Sequence, residues 1–239
     1  MVGGTLTQQD SLICSGGNGF TLTTGTWIAN DFNVALTGAS ANRFAINGGT
    51  INMGTGTWQT NYAASSGNWW VGSGTITNAT NSTIKFVTTN NTDYSFLGGT
   101  KTYGNIWFAR GASTATNTIS SSNTFADFKD DGSAAHSILF TTGTTQTVTT
   151  FTVSGTAGNL ISIDSTTTGT HALVKSGGGT ISSDYLNIQH SVATPSDTWY
   201  AGVNSTDNQA ATTAGSGWIF TAPPPPPPST GEEYLILFN

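Results

Sequence analysis

The chain has 239 residues, of which only 8% are charged, and its twelve acidic and six basic side chains leave a net charge of −6. Roughly 25% charged is usual for a soluble domain. The bases here are also scattered (Arg43, Lys85, Lys101, Arg110, Lys129, Lys175), which excludes a phosphate-tracking surface and with it nucleic-acid binding. Aromatic residues at 10% argue against disorder, because chains that fail to fold are poor in rings and rich in charge.

The missing charge is replaced by Gly, Thr, Ser and Asn. Threonine, β-branched and aromatic residues favour strands, and Gly, Asn and Ser supply turns. No stretch has apolar residues at helical spacing. From the N-terminus, strand-like runs recur at Phe20–Thr23, Gly49–Met53, Ser82–Val87, Asn105–Phe108, Ser137–Phe140, Thr147–Val153, Leu160–Ile163, His171–Val174 and Tyr185–Ile188. Thr-apolar anchors centred on Leu22, Ile51, Ile84, Ile119, Val148 and Ile181 suggest a longer period near 30 residues. Three strand-turn units per repeat would make a triangular coil, and stacked coils would make a rod. The expected fold is therefore an all-β parallel β-solenoid over residues 1–222, with six or seven coils and a height of roughly 30 Å. The alternative is a β-sandwich or jelly roll. Ile51, Ile84, Phe86, Ile119, Phe128, Val148, Phe151, Val153, Ile161, Ile163, Leu186 and Ile188 are expected to point inward.

Residues 223–228 are six consecutive prolines, a stiff spacer of about 19 Å. In the segment that follows, 229–239, Tyr234, Leu235, Ile236, Leu237 and Phe238 are the most apolar run of the chain. A spacer carrying such a run is expected to be a docking peptide that adds as a strand to a partner's sheet edge.

Chemistry-bearing patterns are few. Asp127, Asp130 and Asp131 lie in ADFKDDG without calcium-loop spacing and are expected to form a strand end and turn. His136, His171 and His190 lack zinc-ligand spacing and are expected to be solvent-facing or satisfied. The lone Cys14 is expected to be a small buried residue. No catalytic, cofactor or metal residues are assigned. Trp69, Trp70, Trp107, Trp199 and Tyr200 are candidates for stacking on sugar rings, weighed against the alternative that they fill the core.

Three segments carry a resemblance: NTFADFKDDGSAAHSILFTTGTTQTVTTFTVSGTAGNLISI, LVKSGGGTISSDYLNIQHS and DTWYAGVNSTDNQAATTAGSGWIF. With them the stretch from Thr118 to Phe220 resembles a module recurrent in tailed-phage virion proteins and related bacterial surface or prophage proteins. The resemblance implies a β-helical, non-enzymatic structural or fibre-like protein and supplies no catalytic residues. The absence of an export signal fits the same expectation of a particle assembled in the host cytoplasm. The expected partners are other virion proteins, further copies of the chain, a trimer among the arrangements, and a host-surface glycan. No membrane partner is expected. The rival readings are a polysaccharide depolymerase on a β-helix scaffold and a bacterial surface adhesin.

Overall fold

The computed structural model describes residues 3–16, 19–38, 43–61, 67–209 and 216–225. The six-proline spacer is described only to Pro225, and the docking peptide Tyr234 to Phe238 lies outside the described residues. Among the described residues every ordered segment is a strand, and every strand pairing is parallel.

The chain winds in coils. The first is β1 (Thr5–Thr7), β2 (Leu12–Cys14) and β3 (Phe20–Leu22), and the second is β4 (Thr26–Ile28), β5 (Val34–Leu36) and β6 (Phe44–Ile46). The third is β7 (Thr50–Asn52), β8 (Thr57–Thr60) and β9 (Gly67–Gly72), and the fourth is β10 (Thr75–Thr77), β11 (Thr83–Phe86) and β12 (Tyr94–Leu97). Three two-strand coils follow: β13 (Thr102–Phe108) with β14 (Asn117–Ser120), β15 (Asn123–Asp130) with β16 (His136–Phe140), and β17 (Thr145–Val153) with β18 (Ile161–Ser165). The top returns to three strands: β19 (His171–Lys175), β20 (Ile181–Ser182) and β21 (Leu186–Ile188), then β22 (Ser191–Thr194), β23 (Trp199–Tyr200) and β24 (Thr206–Asp207). β25 (Trp218–Ile219) closes the series.

Stacking these coils builds four sheets. Face A is β1-β4-β7-β10, and face B is the nine-stranded β2-β5-β8-β11-β13-β15-β17-β19-β22. Face C is the nine-stranded β3-β6-β9-β12-β14-β16-β18-β21-β24, and face D is β20-β23-β25. Nine strands about 4.8 Å apart make face B about 38 Å tall. The solenoid expectation is met, and the stack is taller than expected. The period near 30 is corrected. Paired residues lie between 18 positions apart (Ile181 with Trp199) and 27 apart (Thr145 with Ala172).

Strand alternation sorts side chains between core and solvent. One inward row on face B runs Leu12, Val34, Trp58, Ile84, Ile106, Phe128, Phe151. The facing row on face C runs Phe20, Phe44, Trp70, Phe96, Ile119, Phe140. All twelve residues expected in the core are buried. Rings from neighbouring coils touch along the axis, as Phe128 does with Phe151 at 5.3 Å and Phe44 with Trp70 at 5.6 Å.

Corners need backbone that side chains disfavour. Gly49 has φ +69°, and a Cβ placed on it would lie 2.5 Å from the Gly25 carbonyl oxygen one coil below. Left-handed backbone alone costs a side chain about 1–2 kcal/mol. Gly49→Ala is therefore expected to lower stability by about 2 kcal/mol, read as a shift of the urea midpoint at constant slope.

Candidate surface-contact site

The five aromatic candidates separate by register. Trp69 and Trp70 are fully buried, which corrects their reading as a sugar platform. Adjacent strand residues should point to opposite faces, but the register between β9 and β12 shifts so that Phe96 pairs with Trp70 and Trp69 becomes the extra residue of a bulge. The bulge turns both rings inward. Trp69 then stacks on Phe86 at 4.5 Å and on Tyr94 at 4.4 Å. Trp199 is likewise buried, edge-on to Phe151 and Trp218, and donates its Nε1 hydrogen to the Thr194 carbonyl. Tyr200, next along β23, is half-buried.

Trp107 alone of the tryptophan candidates stands on an outer surface. On face B the outward row reads Ile13, Ala35, Gln59, Lys85, Trp107, Lys129, Thr152. The neighbours one coil below and above place the Lys85 ammonium 3.7 Å and the Lys129 ammonium 4.1 Å from the ring centroid. The ring is held between two cations, each contact contributing about 0.5–1 kcal/mol at an exposed position. Its Nε1 donates to Asp131 Oδ2 at 2.9 Å, and Lys129 Nζ lies 3.8 Å from the same carboxylate oxygen. Trp107 and Lys85 form one end of a groove of about 530 Å³ that crosses the strands toward Gln59, Asn33 and Ala35 and ends at Leu12 and Ile13. Ile13 is 69% exposed, the most exposed large hydrophobic side chain among the described residues. A second cleft, of about 300 Å³, lies beside Asn30, Asp31, Asn52 and Asn78. There the Asp31 carboxylate accepts the Thr55 amide hydrogen.

The titratable groups that resemble catalytic machinery are inside the rod. Asp130 occupies an inward position between Phe108 and Val153 and is 4% exposed. It contacts His136 Nε2 at 3.0 Å, accepts the Gly132 amide at 2.8 Å and lies 3.3 Å from Asn117 Nδ2. Burial lowers the pKa of His136, but the hydrogen bond and charge of Asp130 outweigh it and hold the imidazole above its ordinary value. Asn117 in turn accepts from Arg110 Nη1 at 2.9 Å. The Arg110 guanidinium is 3% exposed, donates also to the carbonyls of Thr88, Asn90 and Thr92, and sits 4.8 Å over the Trp69 ring. Burial lowers its pKa to about 10, partly opposed by Tyr94, Asp130 and Asp93. It therefore stays charged at neutral pH. The expected strand end is met at Asp130, whose carboxylate accepts the Gly132 amide, but the cluster does not lie wholly in a turn. Asp127 lies in the middle of β15 and accepts from Thr150 and Thr152 one coil above, and only Asp131 lies beyond the strand.

A Ser-His contact also forms, between Ser165 Oγ and His171 Nδ1 at 2.9 Å. Ser165 Oγ donates to the His190 carbonyl at 3.2 Å, so with that assignment His171 donates its Nδ1 hydrogen to the serine rather than accepting one. The nearby carboxylate, Asp164, bonds His190 Nδ1 at 2.8 Å and not His171. Ser165 and His171 are 6% and 1% exposed. This dyad cannot reach a substrate in the folded rod. His136 and His171 are buried rather than solvent-facing; His136 is satisfied at both ring nitrogens, His171 at Nδ1 alone, and sequence spacing held no sign of these partners. Cys14 is only partly buried and packs against the core. Among the described residues no group of three His, Cys, Asp or Glu side chains is placed to hold a metal ion.

Comparison with known proteins finds no matching family model, no matching curated protein and no matching solved structure.

Proposed function

We propose that the chain is a structural protein of a tailed-phage particle, displayed as a decoration, fibre or adhesion rod and acting by surface contact rather than catalysis. The observation that carries a contact role is the partition of chemistry between the two sides of the sheets. Among the described residues, the buried Asp130 and His136, and Ser165 and His171, bond each other inside the rod rather than facing a substrate. The outward row of face B instead presents Gln59, Lys85 and Trp107 beside a groove. The phage setting rests on the resemblance of Thr118 to Phe220. On this reading face B contacts a host-surface glycan, and the peptide Tyr234 to Phe238 docks on other virion proteins or on another copy.

The test is immunogold electron microscopy, with antibody to the rod, of particles released from the host that carries the gene. Label on the particles is expected. Label confined to the bacterial envelope would overturn the virion assignment in favour of a surface adhesin. Release of reducing sugar from host capsule by the purified chain would overturn the non-enzymatic reading.

A further inference from the structure

We propose that the face B groove binds a carboxylate-bearing polysaccharide, with Lys85 pairing with a sugar carboxylate and Trp107 packing against the ring that bears it. This deepens the surface-contact reading and rests on it.

Charge is the first argument. None of the ten groove-lining residues is acidic, in a chain with twelve acids and a net charge of −6. Lys85 has no carboxylate partner among the described residues, and its ammonium rests on the Trp107 ring. Lys129 differs, because Asp131 lies beside it. Lys85 is thus a cation without an ion-pair partner at the wall of a groove whose lining holds no acid; the Asp131 carboxylate at the Trp107 edge is engaged by the Trp107 Nε1 hydrogen and lies 3.8 Å from the Lys129 ammonium. An approaching carboxylate offers it a charge-assisted hydrogen bond, stronger than its contact with the ring. When the ammonium swings to that carboxylate it uncovers one face of the indole, which is then free for the C–H face of a pyranose. Gln59 and Asn33 supply amide donors and acceptors for hydroxyls farther along, and Ile13 and Ala35 supply an apolar end.

Shape is the second argument. The row from Ile13 to Trp107 crosses five strands, or about 19 Å along the rod. The strand spacing is close to the length of one sugar unit in an extended chain. A groove of this kind suits a polymer more than a compact metabolite. A peptide adding as a strand along the groove is disfavoured, because β5, β8 and β11 lie inside the sheet and only β2, at the far end from Lys85 and Trp107, is an edge. A densely sulfated polymer or nucleic acid needs more cations than one free lysine.

The test is affinity electrophoresis of the full chain in native gels containing polygalacturonate, dextran sulfate or neutral dextran. Retardation is expected in polygalacturonate and not in dextran. Lys85→Gln and Trp107→Ala should each weaken it by about tenfold or more. Lys101→Gln, the same charge change at a residue outside the groove lining, should leave it unchanged. Equal retardation in dextran sulfate or dextran, or retention unaffected by Lys85→Gln, would overturn the carboxylate class while leaving a glycan surface in place. Loss of retardation in all three polymers would overturn the groove as a glycan site, and the virion assignment would still be decided by the immunogold result.

Discussion

Arg110→Met should lower the stability of the rod by about 3–5 kcal/mol, as expected when one member of a buried, hydrogen-bonded charge network is removed. The guanidinium ties the connection that follows β13 to the segment around residues 88–92 through the Thr88, Asn90 and Thr92 carbonyls and links through Asn117 to the buried Asp130. Methionine fills comparable volume and keeps the contact with Trp69, so the loss isolates the donors and the charge rather than a cavity. Without them the Thr92 and Ala115 carbonyls and the Asn117 amide lose a donor, and Asp130 loses a compensating cation. Arg110→Lys should recover less than half of the loss, because an ammonium cannot span the same fork of acceptors. Urea unfolding followed by tryptophan fluorescence reads the difference. A shift worth less than about 1 kcal/mol would show that the network contributes little.

Acidification should act mainly through His171. Burial, with a further push from His190, lowers its pKa to about 3 from an ordinary value of 6.5. The folded rod therefore keeps the imidazole neutral where the unfolded chain protonates it. Its contribution is present above pH 6.5 and is lost as pH falls toward 3, amounting to about 3 kcal/mol between pH 7 and pH 4. His136 has the opposite sign. Its pKa is raised, so its contribution is full below the ordinary value and is lost as pH rises through the folded value. The pH dependence of the urea midpoint should be steep between pH 6.5 and 4 in the native chain and visibly flatter in His171→Gln. Equal slopes in the two proteins would contradict the buried, neutral assignment.

Inward positions were legible in the sequence because alternation along a strand is a local property. Ile161 and Ile163, or Phe86 two positions from Ile84, announce their side of the sheet without reference to any other coil. The period was not legible, because corners absorb insertions. Coil length varies from 18 to 27 residues, and face A ends at β10, beyond which the longer β13, β15 and β17 replace two strands with one. The anchors near a spacing of 30 lie on different sides of the rod: Leu22 and Ile119 on face C, Ile51 on face A, Ile84 and Val148 on face B, and Ile181 on face D.

The site was legible only at Trp107. Lys85 and Lys129 reach its ring from 22 residues away on either side, and Gln59 and Ile13 join the groove from lower coils. None of these is identifiable until the register is known. The inward turn of Trp69 depends on a one-residue bulge, and the Asp130–His136 contact depends on faces B and C meeting inside the coil. Both are tertiary facts that no local pattern encodes.

The stacking register is therefore the claim on which the rest depends, since it alone brings Lys85 and Lys129 to the two faces of Trp107. It is tested most directly by a cross-link one step along the same strands. Thr83 and Asn105 are register partners on β11 and β13, with the Asn105 amide 3.2 Å from the Thr83 hydroxyl. In a Cys14→Ser background, Thr83→Cys with Asn105→Cys places two thiols within disulfide reach. Mild oxidation of the folded protein should give a single intramolecular disulfide between positions 83 and 105, identified by mass spectrometry of the digest. Two thiols that remain free after oxidation, or that link only between molecules, would contradict the register and with it the assembled surface of face B.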